Sequence, residues 1–152
     1  MTEIISYEDK YKEEFKTLNF EWLDKYKLLE SHDQLVIDNP KGTIIDRGGF
    51  IFLAKEGDEI IGTAGLALEH EGEYELVKMT VAPAFRGKGI SKLLIEKCLE
   101  KAKEIGAKKV LLYSNSQLQT AIGLYSKYGF QHVPVIDAPF VTADVKMELE
   151  LQ

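Results

Sequence analysis

The hydrophobic period of this chain switches abruptly at Pro83, and that switch constrains its fold more than any other feature. Before it, Phe50 to Lys55, Glu59 to Leu68 and Tyr74 to Val81 read as strands. A Gly57-Asp58 turn and a His70 to Gly72 turn join them into an antiparallel meander. After it, Arg86-Gly87-Lys88-Gly89 runs straight into Ile90, Leu93, Leu94, Cys98, Ala102 and Ile105, whose spacing predicts a long amphipathic helix stopped by Gly106. Strands, a glycine-rich turn and a helix in immediate succession make a mixed α/β (α+β) chain.

The flanking segments fit the same class. Ile4 and Ile5 suit a short first strand, and Tyr7, Tyr11, Phe15, Leu18 and Trp22 recur on one helical face. Ser31 with Gln34 reads as a capping box opening a second, short helix that ends at Asn39-Pro40. Pro40 to Gly49 and Pro134 to Ala143 read as loops. Val110 to Tyr113 suits a strand buried on both faces, and Ser116 with Gln119 reads as a capping box for a helix that stops at Gly129. Val145, Met147, Leu149 and Leu151 alternate with charged residues as in a half-buried strand. A chain of 152 residues can bury one core but is short for two, so residues 1–152 are expected to form a single domain.

Charge and cysteine usage narrow the function classes. A formal charge of −6 opposes binding to nucleic acid and anionic membranes, and no run of about 18 apolar residues suits a membrane span. The charged start MTEIISYEDKYKEEF does not resemble a signal peptide. Cys98 alone supports neither a disulfide framework nor a cysteine-rich zinc site, and a cytoplasmic location is expected. His32, His70 and His132 lack metal-ligand spacing, so no metal is expected. They read as structural or solvated, with His32 a distant candidate for a base.

The cations of this acidic chain gather at one point. Arg86, Lys88 and Lys92 lie within a turn of the helix start, where N–H groups are unpaired and the helix dipole is positive. Gly87 and Gly89 let the backbone approach a ligand closely, so a pyrophosphate is the expected guest. Neither a Walker loop nor a dinucleotide fingerprint fits, because the glycines have the wrong spacing and Lys92 stands where a third glycine would be needed.

The segment Arg86-Gly87-Lys88-Gly89-Ile90-Ser91 resembles the Q/R-x-x-G-x-G/A acetyl-CoA loop of the GNAT superfamily, the Gcn5-related N-acetyltransferases, with Ser91 in place of Gly or Ala. Ala121-Ile122-Gly123-Leu124-Tyr125-Ser126-Lys127-Tyr128-Gly129-Phe130 resembles that family's A-I-x-L-Y-x-K-x-G-F segment, and the element order agrees over nearly the whole chain. The resemblance implies a mixed, mostly antiparallel sheet of about six to seven strands flanked by about four helices. It also implies acetyl-CoA as cosubstrate and transfer of an acetyl group to an amine of a small molecule or peptide.

Site residues follow from the same resemblance. The backbone of Met79, Thr80 and Val81 is expected along the pantetheine arm, and Arg86, Gly87, Lys88, Gly89, Ile90, Ser91 and Lys92 around the pyrophosphate. Tyr125 is the expected acid for the departing thiolate. Glu75 is the candidate base, and strict alternation places it on one strand face with Val77, Met79 and Val81. Leu118 stands at the family's usual asparagine, and Asn115 is the candidate substitute. Phe20, Trp22 and Tyr26 are expected near the acceptor cleft or in the core. Family members are often dimers, so a homodimer is open. A non-catalytic acyl-CoA-binding module is the competing reading, since Ser91 and Leu118 depart at cofactor positions. The acidic surplus leans toward a cationic amine such as a polyamine, a basic amino acid or a peptide amine.

Overall fold

The computed structural model describes residues 1–151. Its order is β1 (Thr2–Ser6), α1 (Lys12–Lys25), α2 (Ser31–Asp38), α3 (Pro40–Thr43), β2 (Phe50–Glu56), β3 (Glu59–His70), β4 (Glu73–Val81), α4 (Ile90–Glu104), β5 (Lys109–Ser114), α5 (Gln119–Lys127), β6 (Gln131–Val133) and β7 (Val145–Glu150). The seven strands form one sheet in the order β1-β2-β3-β4-β5-β7-β6, antiparallel throughout except for the β4–β5 pair.

Two apolar layers cover the sheet. On one face, Leu94, Ile95, Cys98 and Ala102 of α4, with Ile122 and Tyr125 of α5, pack on Ile61, Ala64, Leu66, Leu76, Val110, Leu112 and Met147. On the other, Phe15 of α1 and Val36 and Ile37 of α2 pack on Ile51, Leu53 and Ile60. The buried positions in α4 recur at the helical period that the sequence displays, which is why this helix is legible by eye.

Four local expectations are corrected. The segment from Pro40 to Gly49 is not all loop: Pro40 opens the one-turn α3, Asn39 Oδ1 accepts from the Gly42 N–H at 3.2 Å, and a 3-10 turn follows at Ile45–Arg47. The second helix is capped one residue earlier than Ser31, with the Glu30 N–H donating to Asp33 Oδ2 at 2.9 Å. Ser116 and Gln119 form no capping box, because Gln119 is already the first residue of α5 and the Ser116 hydroxyl and N–H both donate to Asp144 at 2.8 Å.

The fourth correction bears on the site. Lys78 has φ +51, a left-handed backbone uncommon outside glycine, and the β3–β4 register slips there from Gly65↔Val77 to Thr63↔Thr80. An added residue reverses the alternation of every side chain beyond it. Leu76 before the bulge and Met79 and Val81 after it therefore face the α4 layer, while Val77 faces α1 and α2. Glu75 shares a face with Val77 but not with Met79 or Val81.

Candidate active site

β4 and β5 pair only from Glu73↔Lys109 to Glu75↔Leu111. Beyond that they part, and the gap opens into a cavity of about 850 Å³. Ala82 N–H donates to Ile61 O at 2.7 Å, so by antiparallel alternation the Thr80 backbone also turns toward β3 while the Met79 and Val81 backbones turn toward the gap. The Val81 carbonyl there accepts from Arg86 Nε at 3.0 Å.

At one end of the cavity the chain leaves β4, passes a 3-10 turn at Pro83–Phe85 and enters α4. Gly87 and Gly89 sit at φ +78 and +81, and Gly89 is the N-cap of α4. A side chain at either glycine would meet no neighbour, so the requirement is backbone conformation rather than space. Arg86, Gly87, Gly89, Ile90, Ser91 and Lys92 line the cavity. Lys88 does not; its Nζ lies 5.2 Å from the centre of the Phe85 ring. Unpaired amides at a helix start, positive-φ glycines and flanking cations are what a pyrophosphate-bearing coenzyme needs.

Tyr125 enters from α5 on the α4 face, 8% exposed, its ring 5.9 Å from that of Phe130. Burial raises its phenol above the ordinary value, with Cys98 adding a smaller push, so it stays protonated across the working pH range. Cys98 is fully buried, and burial raises its thiol to about 12, which makes it inert.

Glu75 enters from the opposite face. It is 6% exposed and lines the cavity. Burial raises its carboxyl well above the usual range, Glu69 adds to the rise, and Lys78 opposes it. A carboxyl held up in this way is a stronger base than an exposed one, which suits it to take a proton from an ammonium.

Around Glu75 stands a set of residues that no motif announces. Lys78 Nζ donates to Asp33 Oδ1 at 2.6 Å, with both side chains nearly inaccessible, and lies 5.4 Å from the centre of the Phe140 ring. The Lys78 carbonyl accepts from Thr63 Oγ1 at 2.6 Å, Thr63 Oγ1 accepts from Asn19 Nδ2 at 3.2 Å, and Asn19 Oδ1 accepts from Trp22 Nε1 at 3.1 Å. This chain fixes α1 against the bulge and orients the Trp22 wall. Phe140 belongs to the segment between β6 and β7, which the Glu30 carboxylate holds by accepting the Val141 and Thr142 N–H groups at 2.9 Å. Burial pushes the Glu30 carboxyl up, but the Thr142 hydroxyl, which also donates to it, and these two N–H groups together hold it below its usual value.

The remaining candidates divide. Trp22 and Tyr26 line the cavity, whereas Phe20 is 40% exposed and does not. Asn115 lines it, but its amide is engaged: Nδ2 donates to Thr142 O at 2.8 Å and Oδ1 accepts from the Gln117 N–H at 3.0 Å. Leu118 is the N-cap residue of α5 and also lines the cavity. His32 packs edge-on to Phe140 and is not in the lining. Among the described residues, no group of three or more His, Cys, Asp or Glu side chains is placed to hold a metal ion.

Comparison with known proteins agrees with this architecture. The model of the acetyltransferase (GNAT) family matches residues 7–130. The uncharacterized N-acetyltransferase YvbK of Bacillus subtilis is 30% identical over 114 residues, 73% of each chain. The uncharacterized N-acetyltransferase YjgM of Escherichia coli is 40% identical over 78 residues, 49% of this chain. This chain spans just under half the length of the E. coli protein and of rat N-acetyltransferase 8, at 47% and 45%. Among solved structures, a GNAT-family acetyltransferase from Staphylococcus aureus Mu50 superposes over the whole of both chains with a TM-score of 0.90 at 25% identity. The PaiA N-acetyltransferase of Thermoplasma acidophilum, in complex with coenzyme A, superposes over 99% of both with a TM-score of 0.79 at 18% identity. The protein belongs to the GNAT family of acetyltransferases.

Proposed function

We propose that this chain acts as one domain and is an acetyl-CoA-dependent N-acetyltransferase, acting on a primary amine of a small molecule or peptide by direct attack in a ternary complex. The observation that carries this reading is the gap between β4 and β5, with Glu75 entering from one face, Tyr125 from the other, and a cationic amide cradle at one end. Acetyl-CoA, when bound, supplies the acetyl thioester.

The chain's own residues do the rest. Gly87, Gly89, Ile90, Ser91 and Lys92 hold the pyrophosphate on the α4 N-terminus. The Met79 and Val81 backbones align the pantetheine arm, and one of their N–H groups stabilises the charge that develops on the acetyl oxygen. Glu75 takes the proton from the acceptor ammonium, which has no lone pair until it is lost. Tyr125 protonates the departing sulfur. Among the described residues no helix is long and apolar enough to cross a membrane. On its single, buried cysteine we place the reaction in the cytoplasm.

Amine-dependent release of free thiol from acetyl-CoA tests the reading. Tyr125→Phe is expected to lower turnover by about a hundredfold with acetyl-CoA affinity nearly unchanged, because the hydroxyl acts at the sulfur and not at the pyrophosphate. Normal turnover with weakened binding would remove Tyr125 from the acid role. Tight acetyl-CoA binding with no thiol release across a broad amine panel would make the chain a coenzyme-binding module.

A further inference from the structure

Given the transferase reading, the walls of the Glu75 half of the cavity bear on the acceptor. Trp22, Leu23, Tyr26, Leu28 and Phe140 are among its lining residues. The titratable groups facing it from α2 and β4 are Asp33, Glu75 and Lys78. Two of these neutralise each other, since Lys78 Nζ and Asp33 Oδ1 are 2.6 Å apart with side chains 6% and 3% exposed. The second Asp33 oxygen is also taken, by the Glu30 N–H. Glu69, on β3 beside Glu75, is exposed and outside the lining.

We infer that the acceptor carries one amine on an apolar, preferably aromatic, body and no second charge. Glu75 is the one carboxyl in this half without a cation of its own, so it answers a single ammonium. A second ammonium or a carboxylate on the same molecule would be desolvated against tryptophan, tyrosine, leucine and phenylalanine, with only a saturated ion pair nearby. An aromatic body instead stacks among Trp22, Tyr26 and Phe140. This reverses the lean toward polyamines and basic amino acids that overall composition suggests, because the acidic surplus lies on the surface and this half of the pocket offers one unpaired carboxyl, enough for a single ammonium.

The experiment is thiol release at saturating acetyl-CoA with phenethylamine, phenylalanine and putrescine. The first two differ by one carboxylate, and the third exchanges the ring for a second ammonium. The inference predicts kcat/KM for phenethylamine at least about a hundredfold above both others, the discrimination expected when a charge is buried without a partner. Parity, or preference for phenylalanine or putrescine, overturns the inference and leaves acetyl transfer standing. No release with any of the three overturns the inference and counts against transfer as well. A second variant isolates the wall: Phe140→Ala, on a half-exposed loop position, is expected to raise KM for phenethylamine about tenfold with kcat and the acetyl-CoA-induced thermal shift nearly unchanged. An unchanged KM would remove Phe140 from the acceptor wall and overturn the aromatic preference.

Discussion

Glu75→Gln should lower kcat/KM for the acceptor amine by about 10²- to 10⁴-fold, the usual range for loss of a general base, while leaving the acetyl-CoA-induced thermal shift intact. The isostere keeps the shape of the pocket and removes only the group that accepts the proton. Burial first, and Glu69 second, raise this carboxyl well above the ordinary range. Because the base must be ionised to act, the wild-type rate should climb with pH through a window above the usual carboxylate values, and that limb should vanish in Glu75→Gln. Stability should move the other way. The folded state holds the Glu75 proton more tightly than the unfolded chain, so the group favours folding at low pH. That advantage is lost as pH rises from the ordinary carboxyl value through the raised one. Glutamine has no charge to bury, so the variant should melt above wild type at alkaline pH and converge with it in acid. A variant with undiminished rate, or one that melts below wild type at alkaline pH, would contradict this assignment.

The largest expected loss of stability comes from Lys78→Met. The substitution leaves Asp33 buried beside Glu75 without its cation, and breaking a buried pair from one side costs about 3–5 kcal/mol. For a domain of this size that corresponds to a fall in melting midpoint of about 6–20 °C. Adding Asp33→Asn removes the stranded charge and should recover most of the loss, since a buried pair is worth far less as a pair than either member is to the other. Differential scanning calorimetry of the two single variants and the double variant measures this directly. Single variants that melt within about 2 °C of wild type would show that the pair is not the internal ion pair described.

Most of the frame was legible because it rests on local periodicity. The α4 stripe and the alternation in β7 repeat at the period of their elements, the apolar run of β5 marks a strand covered on both faces, and the glycines before Ile90 mark the turn into α4 unaided. What escaped rests on contacts distant in sequence. Lys78 interrupts a strand pattern by one residue, and period-2 counting passes over a bulge without notice. Strict alternation therefore puts Glu75 on the wrong face relative to Met79 and Val81. Asp33 meets Lys78 across 45 positions, and Glu30 meets Thr142 across 112, so no window of sequence contains either pair. A charged Asp33 beside the apolar turn of α2 was the one local sign, since a carboxylate there must find a cation. The short α3 is not legible in the sequence because Pro40 reads equally as a helix stop and as the first residue of a new turn.

Acetyl transfer requires a coenzyme site in the gap between β4 and β5. Its most direct test is thermal unfolding with acetyl-CoA, coenzyme A, ATP or NAD, each at about 100 times a plausible dissociation constant, where specific binding adds about 2.7 kcal/mol. Acetyl-CoA and coenzyme A alone should raise the midpoint, by about 5–11 °C. A shift with ATP or NAD of equal size, or none with either coenzyme A species, would contradict it.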